Sequence, residues 1–172
     1  DIAVVTRHSV RVTDDKNKLV QRKVSESQLS ADAVERGEFR HYMLKEIYEQ
    51  PRALGDTLSE RIADGQVLDG IFGPKASDIL DKIEHVQIVA CGTSYHAGLI
   101  ARYWIEEYCK VPCSVEIASE YRYRNAVVPP NSVFMTVSQS GETADTLAAV
   151  RSAKAKGYLA TMAICNVPES SL

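Results

Sequence analysis

From residue 86 onward, short apolar runs alternate with helix-length segments, and that alternation constrains the fold more tightly than any other feature of the chain. Val86 to Cys91, interrupted only by Gln87, has the near-continuous apolarity of a strand buried on both faces. Gly92-Thr93-Ser94 then opens a helical segment that runs from about Tyr95 to Tyr108. Ser114 to Ala118 reads as a second strand, followed by a helical turn over 119–125 and the turn signal Val128-Pro129-Pro130-Asn131. Ser132 to Val137 is a third strand, Ser138 to Glu142 a Gly-containing turn, Thr143 to Lys156 a helix stopped by Gly157, and Leu159 to Cys165 a fourth strand. Strands separated by helices argue for a parallel sheet covered by those helices on both sides, so the fold class is α/β. The sheet reads as incomplete at its C-terminal side.

The first half of the chain follows other rules. Residues 1–24 alternate apolar and polar, with Val10, Val12, Leu19, Val20 and Val24 around a polar tip at Asp14 to Lys18, which predicts a β-hairpin. Residues 25–40 are rich in Ser, Asp and Glu without a clear period and read as a linker. From His41 the period becomes helical until Pro51, which is expected to end or restart the helix. A second helix is expected over 52–63, stopped by Gly65, and a third over 75–83. The chain starts at Asp1 on a strand-like run and stops soon after a strand, so both ends read as cuts through a longer protein.

Composition excludes several function classes. The 172 residues are 45% hydrophobic and 25% charged, with 20 basic and 23 acidic residues and a formal charge of −3. No basic footprint points to nucleic acid. The apolar runs are strand-sized and fall short of the roughly 20 residues of a spanning helix, so no membrane partner is expected. Four cysteines, at 91, 109, 113 and 165, form no dense disulfide pattern and suit a reducing, cytoplasmic setting. Cys109 and Cys113 lack a companion pair at zinc-site spacing, so they read as a helix end and a strand start, and neither a metal nor a cofactor is expected.

Chemistry concentrates in two strand-to-helix turns, Cys91-Gly92-Thr93-Ser94 and Ser138-Gln139-Ser140-Gly141-Glu142-Thr143. In an open parallel sheet, ligands bind beyond the carboxyl ends of the strands, where free N–H groups at helix N-termini favour an anion. Glycine lets the backbone approach a ligand, and Ser or Thr hydroxyls donate to phosphate oxygens. The same residue types are also ordinary caps and turn formers. The spacing of Gly92 and Gly98 fits no P-loop, no Gly-x-Gly-x-x-Gly is present, and Ser138 occupies the first glycine position of what would be a Gly-x-Ser-x-Gly elbow around Ser140. His96 reads as a partly exposed helix-start residue, Glu142 as a carboxylate near a helix N-terminus, and Arg122 and Arg124 as solvated or ion-paired.

Five strings occur in one order and spacing: His41 to Pro51 (HYMLKEIYEQP), Cys91-Gly92-Thr93-Ser94-Tyr95, Glu116 to Tyr123 (EIASEYRY), Ser138 to Leu147 (SQSGETADTL) and Ile164-Cys165-Asn166-Val167-Pro168. Together they resemble the glucosamine-6-phosphate synthases, the glutamine:fructose-6-phosphate amidotransferases, whose sugar-handling part is built from sugar isomerase (SIS) domains, and the resemblance implies a flavodoxin-like order for the parallel sheet. Ser-Gln-Ser-Gly-Glu-Thr is shared among many SIS domains, whereas the Lys45 to Pro51 segment is more particular to these enzymes.

The resemblance implies that residues 1–24 end a glutaminase domain, 25–40 connect, and 41–172 open the first SIS subdomain. It assigns sugar-phosphate contacts to Thr93, Ser94, Ser138, Gln139, Ser140 and Thr143, with Cys91, Gly92 and Gly141 as neighbours of the sugar site. It implies fructose 6-phosphate and glucosamine 6-phosphate as ligands, glutamine in the glutaminase domain, a homodimer for the complete enzyme, and a role in hexosamine synthesis. The family's N-terminal cysteine nucleophile would lie upstream of Asp1. Its Schiff-base lysine, isomerising glutamate and ring-opening histidine would lie beyond Leu172, so the segment alone is expected to be inactive. A sugar-phosphate-sensing SIS module and another phosphosugar isomerase are the alternatives. Sensing modules carry a helix-turn-helix upstream, where this chain has a hairpin and Lys45 to Pro51.

Overall fold

The structure, a computed structural model, describes residues 1–24 and 35–172. The linker reading of 25–40 falls mostly outside the described residues. The chain divides into two compact units, Asp1–Leu58 and Ser59–Leu172.

In the first unit, strands β1 (Ile2–Val5) and β2 (Val10–Thr13) pair antiparallel, with Ile2 opposite Thr13 and Val5 opposite Val10. The expected tip also forms, as a tighter second turn. Asp14 Oδ1 accepts the N–H groups of Lys16 and Lys18, and Thr13 bridges to Leu19. The longer ladder turns at Thr6–Ser9 instead, where the Thr6 hydroxyl accepts the Ser9 N–H at 3.0 Å. Helix α1 (Tyr42–Leu58) is continuous and contains Pro51, contrary to the expected break. Proline removes the N–H that would reach the Ile47 carbonyl. Ile47 is exposed and only Lys45 on this helix is buried, so water can satisfy that carbonyl. Ion pairs one turn apart, Lys45–Glu49 and Arg52–Asp56, bracket the proline.

The second unit opens on a short hairpin and not on a helix. The helix expected over 52–63 stops at Leu58, and β3 (Ile62–Ala63) and β4 (Gln66–Val67) form a two-residue hairpin. Asp64 and Gly65 have φ of 52° and 75°, the left-handed pair that an Asp-Gly turn of this kind requires. Helix α2 (Ala76–Leu80) is shorter than expected, and tight turns over Ile79–Ile83 complete the segment.

The main sheet contains β5 (His85–Ala90), β6 (Cys113–Ile117), β7 (Ser132–Ser138) and β8 (Ala160–Cys165) in the order β6-β5-β7-β8, all parallel. Between them run α3 (Gly92–Trp104, continued by a π-helical turn to Cys109), α4 (Ala118–Tyr121) and α5 (Ala144–Lys154). Neighbouring side chains along β5 point to opposite faces. Ile88 and Val86 join Cys113, Ala101 and Ile105 in a cluster under α3, while Val89 joins Tyr121, Phe134, Ala149 and Ala153 in a cluster under α4 and α5. Covering both faces explains why β5 is buried from Val86 through Ala90 and why its sequence is so apolar. Cys109 and Cys113 close the π-helical turn and open β6, and all four cysteines are free thiols. Among the described residues, no helix is long and apolar enough to cross a membrane.

Candidate functional site

Strands β5 and β7 are neighbours, with Ala90 opposite Val137, and their carboxyl ends lie side by side. Their following helices, α3 and α5, leave to opposite faces of the sheet. That divergence opens a crevice at the point where strand order reverses. A cleft of about 230 Å³ occupies it, lined by Cys91, Gly92, Thr93, Ser94, Val137, Ser138, Gln139, Ser140, Thr143 and Thr146. Thus eight of the nine residues singled out from the sequence line one cleft. Gly141 does not. It lies behind the turn with φ of 68°, where a Cβ would fall 2.1 Å from Ser170 Oγ and 2.9 Å from Cys165 Sγ.

Two helix N-termini open into the cleft. Cys91 and Thr143 are the capping residues of α3 and α5, and neither side chain makes a capping hydrogen bond. The first intrahelical donors are Tyr95 N–H to Cys91 O and Leu147 N–H to Thr143 O, so the N–H groups before them have no helical acceptor. Both N-termini therefore favour an anion with donors and with the positive end of the helix dipole.

The hydroxyls divide into two groups. Ser138 Oγ accepts the Gly141 N–H at 3.0 Å, and Ser140 Oγ accepts the Glu142 N–H at 3.2 Å. These bonds occupy oxygen lone pairs and fix the turn, leaving each hydroxyl hydrogen free to donate outward. The side chains of Thr93, Ser94, Gln139 and Thr143 make no hydrogen bond with any described residue. The cleft thus presents six neutral side-chain donors, two of them held in place by the backbone they help to shape.

No charged residue is among those lining the cleft. Glu142 is exposed, and Ser171 bonds to its carboxylate, with the Ser171 N–H donating to Oε1 at 2.7 Å; these bonds hold its carboxyl below the usual range. Arg122 pairs with Asp145 in the first turn of α5, and Arg124 makes a two-pronged pair with Glu116. The two arginines are ion-paired, one of the two arrangements, solvated or ion-paired, expected from the sequence. His96 is exposed at the start of α3 and outside the lining.

Sequence reasoning did not single out Thr146 or Val137. Thr146 is buried, with its hydroxyl 3.9 Å from Cys91 Sγ, and it ties the start of α5 to the end of β5. Its position three residues after the Thr143 cap was the available signal.

The fold and site define a parallel α/β domain with a cleft lined by neutral donors at its strand-order switch. Residues 79–172 match the SIS domain, and the chain belongs to that family. Over all 172 residues it is 59% identical to the glutamine–fructose-6-phosphate aminotransferase (isomerizing) of Shewanella oneidensis, and 59% identical to that of Vibrio cholerae. The chain spans 28% of the length of each. The solved C-terminal domain of glucosamine-fructose-6-phosphate aminotransferase from Francisella tularensis is 56% identical, with a TM-score of 0.74, over 78% of this chain and 38% of that one.

Proposed function

We propose that this chain is the phosphosugar-holding part of an isomerising glutamine–fructose-6-phosphate aminotransferase, with fructose 6-phosphate as substrate and glucosamine 6-phosphate as product. The observation that carries the reading is the convergence of two uncapped helix N-termini and six neutral side-chain donors on one cleft. A phosphate group fits that chemistry, because its oxygens accept many hydrogen bonds and its charge is favoured at both helix starts. Phosphate held there would position the sugar for chemistry carried out by other parts of the enzyme. The likeness to the aminotransferases includes residues 1–78, outside the SIS match, and this supports an enzyme over a sensing module. In this reading residues 1–24 close the glutaminase domain, 25–40 connect and 41–172 open the first SIS subdomain of a homodimeric cytoplasmic enzyme.

The test is steady-state kinetics of the intact protein carrying this chain. Ser94→Ala with Ser140→Ala removes two donors to a charged group, each worth about 1.5–3 kcal/mol. The Michaelis constant for fructose 6-phosphate should therefore rise at least about a hundredfold, with a smaller change in kcat. An unchanged Michaelis constant would remove the phosphate assignment from these residues.

A further inference from the structure

None of the ten residues lining the cleft is a lysine or arginine. The turn after β7 and the first turn of α5 instead carry two carboxylates, Glu142 and Asp145. A phosphate ester approaches a doubly negative charge near neutral pH, so an uncompensated carboxylate on its own cradle opposes binding. Glu142 is turned away to the backbone N–H of Ser171. Asp145 is handled differently. It sits two residues after the Thr143 cap, and its own backbone N–H is among the donors that α5 leaves open, so its charge lies within one helical turn of those donors although its side chain is outside the lining. Its carboxylate is gripped by Arg122 Nη1, which comes from the segment just after α4. Both side chains are about one-third exposed, at 29% and 37%. Arg122 in turn lies over the Tyr123 ring, with 4.7 Å between the guanidinium carbon and the ring centroid.

We infer that Arg122 is a positioning residue for phosphosugar binding, which acts through Asp145 by neutralising the carboxylate that α5 carries beside its anion-binding start. The inference rests on the phosphosugar reading of the cleft. Arg122 supplies the positive charge that the cleft lining lacks, held one residue removed from the ligand. A cation placed directly in the lining would bind phosphate through a long flexible side chain, whereas a paired cation cancels the local repulsion and leaves recognition to the oriented N–H and O–H groups.

A purely structural tie predicts something different from a charge compensator, because breaking a tie from either end has the same consequence. In the intact protein, Arg122→Gln leaves Asp145 bare and should raise the Michaelis constant for fructose 6-phosphate about five- to tenfold, with kcat within about twofold. The double variant Arg122→Gln with Asp145→Asn removes the carboxylate as well and should recover most of that loss, although the ion pair is still absent. Arg122→Lys, which keeps the charge, should stay closer to the unaltered protein than Arg122→Gln does. Melting temperatures of all variants report the structural tie separately, and calorimetric titration with inorganic phosphate repeats the comparison without turnover. The inference is overturned if the double variant binds as weakly as Arg122→Gln, or if Asp145→Asn alone weakens binding as much. If the unaltered protein shows no binding of phosphate or fructose 6-phosphate at this cleft, the phosphosugar reading itself falls, and the two failures are distinct.

Discussion

At the residue scale, the site depends on one glycine whose role only the structure reveals. Gly141 combines a left-handed backbone with a space that Ser170 and Cys165 already fill. An alanine there would meet a conformational penalty of roughly 1–2 kcal/mol. It would also displace the segment around Ser170, and with it the bond from Ser171 to Glu142. The Gly141 N–H is what Ser138 Oγ accepts, so the distortion reaches the hydroxyls of the cradle. Gly141→Ala should raise the Michaelis constant for fructose 6-phosphate on the order of tenfold, since about 1.4 kcal/mol corresponds to a factor of ten; kinetics matching the unaltered protein would show that the turn tolerates the change. The hydroxyls themselves were legible in the sequence because they fall next to glycine at strand ends, where parallel sheets place ligands. The contacts around the turn were not: Ser170 and Cys165 fill the space beside Gly141 from 29 and 24 positions away, and Arg122 reaches Asp145 from 23 positions away, and no local pattern encodes such meetings.

At the element scale, legibility tracked how local the determining physics is. The strands of the main sheet could be read from their apolar runs because burial on both faces leaves a direct imprint. Pro51 stays within a continuous helix, against the local rule for helix interiors, because exposure lets water replace the lost hydrogen bond. The Asp64-Gly65 hairpin carried its own turn signal, but the expectation of a second helix hid it. Packing between elements is sharpest at Gly98 in α3. A Cβ there would lie 3.0 Å from Ile88 Cγ2 and 3.1 Å from Val115 Cγ1, and Ile88 is fully buried. Alanine favours helix over glycine by about 1 kcal/mol. Overpacking a core costs typically about 1–3 kcal/mol. Since Ile88 sits in a strand paired on both sides and cannot yield, overpacking should win. Gly98→Ala should therefore lower the melting temperature, and a melting temperature that stays level or rises would mean that α3 can lift from the sheet at little expense.

At the scale of the whole molecule, the crevice depends on a strand order that the alternating pattern allows but does not impose, so anything that fastens β6, β5 and β7 in that order also maintains the site. His85 does so at the end of the sheet away from the cleft. Ser132 Oγ donates to the Pro129 carbonyl at 2.6 Å, so toward His85 Nδ1, 3.2 Å away, it serves as acceptor. The imidazole therefore carries its proton on Nδ1, and Nε2 accepts from Ser114 Oγ at 3.1 Å. One neutral ring thus joins residues of three adjacent strands. Burial disfavours its charged form and lowers its pKa below the ordinary 6.5. A histidine whose pKa is lower in the folded state takes up its proton more readily when unfolded, so stability rises with pH across the interval between the two values. The contribution is complete above the unfolded value and is lost as pH falls through the folded one. Protonation also requires Ser114 to stop donating to Nε2. Melting temperatures measured between pH 7 and pH 5 should fall more steeply for the unaltered protein than for His85→Asn, which keeps a donor near Ser132 but has no titrating ring. Parallel slopes in the two proteins would mean that His85 does not link protonation to the stability of the sheet.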